Sequence, residues 1–255
     1  MHSASDELRR HYDLKYAAEA SAVSLETIAP TAIPSDRFQA CCRFFPEHFR
    51  GGEILELAAG SGLVARSLIA SGLDFERYVA SDFSQARLQG LEQTLRDPRV
   101  RVARLDAADI PDQELGHYDA VIMIALIEHL IDPLGVMQRA RRLLKPGGFV
   151  YIDTPNVAKY TRRIKLLFGR FPATASRNEG LTTYDGKPVD LHDEGHLHYF
   201  THRSLAAMLT QRCGFSRVEM LTYFSGGRLL GRRLDHVLAR LRPALFSELC
   251  LVAYA

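Results

Sequence analysis

Short apolar runs alternate with amphipathic segments along the first part of the chain, as far as Pro155. Apolar residues spaced by three or four positions predict helices, whereas short continuous or alternating apolar runs predict strands. The run at 118–126 is apolar on both faces, which is typical of a central parallel strand. The pattern predicts five strands, at 53–59, 77–83, 100–108, 118–126 and 149–154.

Helical patterns lie between these runs. We expect helices at 63–72 and 84–96, and a third that Pro133 opens and the Pro-Gly-Gly segment at 146–148 ends. Strands that alternate with helices form a parallel sheet with helices on both sides. The chain is therefore predicted to have an α/β, doubly wound fold.

The alternation ends after Pro155, and the later pattern is more irregular. The run at 196–200 alternates between polar and apolar residues, and Thr201 is expected to cap a helix that ends at Cys213. Two last strands are predicted at 216–224 and 247–255, separated by an arginine-rich helical stretch at 227–242. This order predicts one domain at 51–255, with an N-terminal helical arm at 1–50 and an inserted cap at about 156–195.

Composition narrows the class of protein. Hydrophobic residues make up 47% and charged residues 24%, as in ordinary globular proteins, and the net charge of +2 argues against a nucleic-acid partner. The four cysteines lack the C-x-x-C spacing of a zinc or redox site. The apolar run at 120–127 is too short to span a membrane, and the polar N-terminus does not resemble a secretory leader. We expect a cytoplasmic protein with reduced thiols and no transmembrane segment.

Ligands of open parallel sheets bind beyond the carboxyl ends of the strands. After the first strand, Gly60 and Gly62 allow a ligand to approach the backbone closely at a helix N-terminus. Asp82 ends the second strand and suits two ribose hydroxyls, because a carboxylate only accepts hydrogen bonds. An adenine base would suit the residues that follow the second and third strands, namely Phe83, Asp106 and Ala107.

Four segments together resemble the class I S-adenosylmethionine-dependent methyltransferases. They are ILELAAGSG at 54–62, YDAVIMIALIEHLIDP at 118–133, LLKPGGFVYIDTPN at 143–156 and GHLHYFTHRSLAAMLTQRCGF at 195–215. The resemblance implies a Rossmann-like, mostly parallel seven-stranded sheet with an antiparallel last strand. It also implies S-adenosylmethionine as the cofactor and S-adenosylhomocysteine as the product.

The resemblance implies roles for individual residues. Glu56 and the turn from Ala58 to Gly62, including Gly60, would hold the methionine portion of the donor, and the backbone near Ile124 would face its amino group. Asp82 would bind the ribose, while the adenine would contact Phe83, Asp106 and Ala107. The sequence departs from the family pattern at Ala58, where the motif has its first glycine.

Two other classes of function stay open. Gly60, Gly62 and Ala65 with Asp82 fit the outline of an NAD(P)-binding oxidoreductase, although such sites have apolar residues at the position of Glu56. A cofactor-binding regulatory subunit without its own turnover would also keep the donor pocket.

Methyl transfer from a sulfonium is an in-line displacement that needs alignment and exclusion of water. A hydroxyl acceptor gains about 10²–10⁴-fold from a general base. His129, just past the fourth strand, is the first candidate base, and His198 is the second. Some related quinone-biosynthesis enzymes bind a metal through E-x-x-E-H, but Ala125 replaces the first acid here, so no metal is expected.

Residues that would bind the acceptor are predicted among the histidines of 192–200 and in the cap. In an extended run, His196 and His198 would share one face with Tyr199 opposite, and they would line the acceptor pocket, pack structurally or, with His192, hold zinc. Tyr160 belongs to an amphipathic cap helix rich in lysine and arginine, which would be solvated, recruit an anionic or carrier-bound acceptor, or touch a membrane surface. Tyr12 and Tyr16 in the arm would close over the site or pack.

These observations favour methylation of a small molecule on oxygen, with nitrogen as the next choice. The identity of the acceptor is left open because the cap of this fold varies freely. Whether the chain forms a homodimer is also left open.

Overall fold

The structure is a computed structural model that describes residues 25–174, 195–225 and 232–255. One seven-stranded sheet lies at the centre of this part. Its strands are β1 (Glu53–Leu57), β2 (Arg77–Asp82), β3 (Val100–Arg104), β4 (Tyr118–Ile124), β5 (Leu144–Thr154), β6 (Arg217–Leu221) and β7 (Leu249–Tyr254). Their order across the sheet is β3-β2-β1-β4-β5-β7-β6.

Strand direction confirms the predicted topology. The five strands from β3 to β5 pair in parallel, and β7 runs antiparallel to both of its neighbours, β5 and β6. The strand order reverses between β1 and β4. In an open α/β sheet this reversal opens a crevice at the carboxyl ends of the strands.

Helices cover both faces of the sheet. The helices of the described residues are α1 (Arg37–His48), α2 (Leu63–Ala70), α3 (Gln85–Thr94), α4 (Pro133–Leu143), α5 (Tyr160–Leu167), α6 (His202–Ala207), α7 (Arg232–Leu241) and α8 (Pro243–Phe246). A π-helical turn, Met208–Arg212, extends α6, and short 3₁₀ turns occur at Asp112–Glu114 and Ile127–His129.

The core forms two layers because successive strand residues point to opposite faces of the sheet. Ile54 and Leu55 of β1 are both fully buried, one in each layer. The layer of Ile54 contains side chains of α1, α2 and α3, and the layer of Leu55 contains side chains of α4 and α6. Burial on both faces explains why the predicted strands are almost continuously apolar.

The described end of the predicted arm packs into this core. In α1, Cys41, Cys42, Phe44 and Phe45 are buried, and the ring of Phe45 lies 5.7 Å from that of Phe149 in β5. Tyr12 and Tyr16 lie outside the described residues, as does His192. All four cysteines are free and buried. Within the described ranges, no helix has both the length and the apolar character that crossing a bilayer requires.

The expected end of the third predicted helix at Pro146 is wrong, since α4 ends at Leu143 and β5 already begins at Leu144. Leu144 pairs with Tyr118 and Phe149 with Ala120, so the four residues between them bulge out of the ladder. Proline has no backbone N–H to donate to the ladder, and at a bulge no such hydrogen bond is lost. A Cβ on Gly148 would lie 3.0–3.2 Å from three backbone oxygens, which explains the second glycine.

The alternating run at 196–200 does not form a further strand of the sheet. Its pairing is limited to one isolated bridge, between Asn156 and Phe200. The amides of Leu197 and His198 instead donate to the carbonyl of Glu128. The alternating pattern therefore reflects a segment bound to the loop after β4 and not a further strand. Thr201 caps α6 as expected, through a reciprocal pair of hydrogen bonds with Ser204.

Candidate active site

A cavity of about 230 Å³ opens at the carboxyl ends of β1, β2 and β4. Seven of the residues predicted from the sequence line it, namely Glu56, Ala58, Gly60, Asp82, Phe83, Ile124 and His129. Phe38 of α1, Arg87 of α3 and Ala125 also line it, although no sequence motif pointed to these three as site residues. The structure thus brings residues predicted to bind the methionine, ribose and adenine portions of the donor into one cavity with the predicted general base.

The turn after β1 is held in an unusual conformation. Ala58 has a φ of 57°, in the left-handed region that costs a non-glycine residue roughly 1–2 kcal/mol. Alanine therefore replaces the glycine of the family motif with strain but without blocking the turn. Gly62, at a φ of 73°, is the residue before α2, and a Cβ there would lie 2.7 Å from the Leu91 side chain. Gly62 packs against Leu91 and does not line the cavity, so its contact with the donor stays a prediction.

Asp82 connects the two strand ends that flank the cavity. Its Oδ2 accepts a hydrogen bond of 3.1 Å from the Gly60 amide, and its Oδ1 accepts one of 2.9 Å from the Ser84 amide. Burial raises the pKa of Asp82, and these amides oppose the rise. Each carboxylate oxygen has two lone pairs, so each keeps the capacity to accept a ligand hydroxyl.

Glu56 is a buried carboxyl group at the wall of the cavity. Burial raises its pKa to about 7, although its Oε2 accepts a 2.6 Å hydrogen bond from the Tyr78 hydroxyl. A buried carboxylate is costly unless it is paired with a positive charge. A ligand ammonium group in the cavity would supply that charge, which fits the methionine end of the donor.

Two of the three residues predicted to bind adenine lie outside the lining of the cavity. Phe83 lines the cavity, whereas Asp106 and Ala107 do not. The Asp106 carboxylate accepts a 2.9 Å hydrogen bond from the Ala108 amide and so caps its own turn just after β3. Their contact with adenine stays a prediction.

His129 lies at the other wall of the cavity, in the 3₁₀ turn after β4. Its Nδ1 is 3.0 Å from the carbonyl oxygen of Gly195. Only a protonated nitrogen can donate to that carbonyl, so in the neutral ring the proton lies on Nδ1 and Nε2 is the basic nitrogen. This tautomer suits a general base.

Glu128, next to His129, is almost fully buried. Its Oε2 accepts a 2.8 Å hydrogen bond from the Thr154 hydroxyl, and its Oε1 lies 4.0 Å from Nε2 of His196. Burial raises the pKa of Glu128 to about 7. The rings of His129 and His196 are 4.7 Å apart, and one ligand atom from each of the three groups lies within 4.8 Å of the others. Such a set could also hold a divalent cation, which the sequence analysis did not expect.

The remaining acceptor-side candidates lie elsewhere in the structure. His198 does not line the cavity, and its Nε2 is 3.3 Å from the Ile131 carbonyl oxygen. His196 is buried and His198 is half-buried, whereas Leu197 and Tyr199 are exposed, so the burial pattern agrees with the predicted common face of the two histidines. Tyr199 packs against Phe171, and Tyr160 packs against Phe246.

A buried charge network at the carboxyl end of β5 had no counterpart among the predicted residues. Asp153 is fully buried, accepts a 2.7 Å hydrogen bond from the Tyr223 hydroxyl and lies 3.5 Å from Nε of Arg37. Burial raises the pKa of Asp153 to about 7, and Arg37 opposes the rise. An acid inside an apolar run, as in FVYIDT, is the signal that could have revealed it.

Two cations of the cap belong to a second buried network. Lys159 and Arg162 bind the carboxylate of Glu248 at 3.0 and 2.7 Å, respectively. These two side chains are buried or nearly so, and they hold the start of α5 against the domain. They are therefore not part of a solvated face.

Comparisons with known proteins agree with this geometry. A family model described as a methyltransferase domain matches residues 35–219. The ubiquinone biosynthesis O-methyltransferase of Xanthomonas oryzae pv. oryzae (strain PXO99A) is 32% identical over 112 residues, and the demethylmenaquinone methyltransferase of Clavibacter sepedonicus is 36% identical over 111 residues. Each match covers 42% of this chain and 44% of the relative, so the chain spans less than half the length of these relatives.

A solved structure shares the fold over nearly the whole chain. It is a complex between the Trm112 methyltransferase activator of Haloferax volcanii and a methyltransferase, with a TM-score of 0.58 and 16% identity over 96% of this chain and 95% of that one. The alternative of an NAD(P)-binding oxidoreductase is not the family that the chain matches. The chain belongs to the methyltransferase-domain family and is a class I S-adenosylmethionine-dependent methyltransferase.

Proposed function

We propose that the chain transfers the methyl group of S-adenosylmethionine to a hydroxyl oxygen of a small-molecule acceptor, with His129 as the general base. The observation that carries the proposal is that His129 lines the same cavity as Glu56 and Asp82. A group able to take the acceptor's proton thus shares one chamber with the groups suited to the donor.

Different residues would bind the donor through charge, hydrogen bonds and contact with the adenine ring. Glu56 would pair with the donor's amino group, Asp82 would accept from its ribose hydroxyls, and Phe83 would cover one face of its adenine. S-adenosylmethionine supplies a methyl carbon that is already activated by a sulfonium, so the protein needs no nucleophile of its own. What the protein must provide is alignment and a dry cavity.

On the acceptor side, His129 accepts the hydroxyl proton at Nε2 as the acceptor oxygen takes up the methyl group. The hydrogen bond from Nδ1 to the Gly195 carbonyl fixes the ring and stabilises its positive charge. Glu128 acts as a positioning residue, because its carbonyl accepts the amides of Leu197 and His198 and so holds the chain that carries Gly195.

Oxygen is preferred over nitrogen for two reasons. A neutral amine carries a nucleophilic lone pair, whereas a hydroxyl benefits from a base at the position of His129. The printed name of the Xanthomonas relative is also that of an O-methyltransferase. An acceptor with an anionic or carrier-bound group stays within the proposal, although Lys159 and Arg162 are already bound to Glu248.

The test uses methyl-labelled donor and paired acceptors. The purified protein is incubated with a panel of phenols and catechols and with the matching anilines, and products are located by mass spectrometry. We expect label in methyl ethers. Label on nitrogen, or label on none of the acceptors while the donor still binds, would contradict the proposal.

A chelator distinguishes proton transfer from metal chemistry at the cluster of Glu128, His129 and His196. If His129 works as a base, turnover is unchanged after exhaustive treatment with a chelator. Loss of turnover that is restored by one divalent cation would instead assign the three side chains to that cation.

A further inference from the structure

The end of α5 leaves large apolar side chains in solvent. The exposed fractions are 51% for Ile164, 63% for Leu166, 79% for Leu167 and 74% for Phe168, and no residue of the helix is buried. Contiguous exposed apolar side chains of this size mark interaction surfaces. We call Ile164, Leu166, Leu167 and Phe168, together with Arg163, Lys165 and Arg170, the cap surface.

The charge of the cap surface has one sign. Arg163, Lys165 and Arg170 are interleaved with the apolar residues, and the sequence has no acidic residue from 157 to 170. Arg163 and Arg170 are exposed and Lys165 is half-buried. Apolar side chains surrounded by cations are typical of helices that lie in the interface of an anionic bilayer.

The first turn of α5 fixes the direction of this surface. Lys159 and Arg162 bind Glu248, which precedes β7, and Glu248 also accepts the amide of Asn156. The helix is therefore anchored to the sheet by buried ion pairs at one end, and its other end carries the apolar residues outward. Such an anchor presents Leu167 and Phe168 on a rigid support.

We propose that the cap surface docks this protein on an anionic lipid bilayer, with Leu166, Leu167 and Phe168 inserted among the lipids. A second copy is the less suitable partner, because a symmetric contact through this surface would bring arginines and lysines together without any acid of the segment. An anionic bilayer satisfies both the apolar residues and the cations. The contact is peripheral and reversible.

The chain offers a direct probe because it contains no tryptophan. A Phe168→Trp variant carries a single fluorophore at the tip of the cap surface, and Leu241→Trp, at a position 70% exposed on α7, is the matched control. With phosphatidylcholine vesicles that contain about one third phosphatidylglycerol, the emission of the Phe168→Trp variant should shift to the blue and resist acrylamide quenching. Pure phosphatidylcholine vesicles should have a much smaller effect, and the control should respond to neither.

Three results would overturn the proposal. One is emission from the Phe168→Trp variant that anionic vesicles leave unchanged. Another is blue-shifted emission before any vesicles are added that depends on protein concentration, which would assign the surface to a second copy. A blue shift without vesicles that is independent of concentration would assign it to another part of this chain.

Charge variants provide the second measurement. Replacing Arg163, Lys165 and Arg170 by glutamine should lower the vesicle partition coefficient by about two orders of magnitude, since each cation near an anionic surface contributes about fivefold. The matched control replaces the exposed Arg50, Arg96 and Arg203 by glutamine and should lower it far less. Equal losses in the two triple variants would contradict docking through the cap surface.

Calorimetry with S-adenosylhomocysteine checks that every variant is folded, because none of these residues lines the donor cavity. Vesicle binding does not require methyl transfer. A negative vesicle result would therefore leave the proposed activity intact, and failure to find an acceptor would leave the docking proposal intact.

Discussion

The two walls of the cavity are built in different ways. On the wall proposed for the donor, a hydrogen bond joins Gly60 to Asp82, which are 22 positions apart along the chain. On the wall proposed for the acceptor, Nδ1 of His129 contacts the carbonyl oxygen of Gly195, which is 66 positions away. The donor wall is thus a local product of one strand-turn-helix unit and its neighbour, whereas the acceptor wall depends on segments that only the whole fold brings together.

This difference has a functional consequence. S-adenosylmethionine presents the same adenosyl and methionine groups to every enzyme that uses it, and here the turn after β1 and one carboxylate would recognise them. Acceptors differ from enzyme to enzyme, and here they would meet side chains from the loop after β4, from the 195–200 segment and from α1. Change in those segments can alter the acceptor without disturbing the donor turn.

The largest expected effect tests the acceptor wall. His129→Ala should lower kcat by about 10²–10⁴-fold, because it removes the proposed base, while the affinity for S-adenosylhomocysteine stays within about twofold. Steady-state kinetics and calorimetry measure the two quantities. His198→Ala is the matched control and should leave kcat almost unchanged, since His198 does not line the cavity. Equal losses in the two variants would remove His129 from the mechanism.

A paired substitution tests the backbone of the donor wall. Gly62→Ala should lower the free energy of unfolding by about 2–4 kcal/mol, because the new methyl group meets Leu91 and the left-handed φ becomes strained. Ala58→Gly should change it by less than about 1 kcal/mol, since relief of strain offsets the greater freedom of the unfolded chain. Chemical denaturation measures both values. A larger loss of unfolding free energy for Ala58→Gly than for Gly62→Ala would contradict the close packing at Gly62 and the strain at Ala58.

A smaller effect tests the charge of Glu56. The pKa of Glu56 is raised to about 7, chiefly by burial, and a bound ammonium group would favour the ionised form. Donor binding should therefore release a proton, and affinity should fall as pH drops below about 7, by roughly tenfold at one unit below. Calorimetric titrations at several pH values measure this dependence.

The Glu56→Gln variant is the control for that titration. It should bind the donor more weakly at pH 8 and with little dependence on pH between about 6 and 8, because glutamine does not titrate. An unchanged pH dependence in the variant would mean that a different group binds the proton.

The features that the sequence could predict divide in the same way between the two walls of the cavity. The strands from β1 to β5, the Asp82 position and the cradle after β1 were predictable, because local hydrophobic period and turn residues determine them. The antiparallel β7 and the family followed from resemblance. The bulge at 145–148 was not predicted, since a Pro-Gly-Gly segment reads as a helix stop whether or not a strand begins within it.

The acceptor side shows why the remainder was missed. Polar and apolar residues alternate at 196–200, but this pattern could not reveal that the amides of Leu197 and His198 bind the carbonyl of Glu128 in the loop after β4. Arg37, Glu128 and Asp153 gave no periodic signal at all. Buried charges find their partners by tertiary contact, so one sequence reveals only that an acid lies in an apolar run, not what neutralises it.

The central claim, that the cavity beside Asp82 is the donor site, is tested most directly by calorimetric titration with S-adenosylhomocysteine. The wild-type chain should bind one equivalent, and Asp82→Ala should bind about 10²-fold or more weakly, since a carboxylate that accepts two ribose hydroxyls contributes about 1.5–3 kcal/mol for each hydrogen bond. Asp74→Ala, at an exposed acid near the start of β1, should bind like the wild type. An Asp82→Ala affinity equal to that of the wild type would place the donor elsewhere and contradict the account.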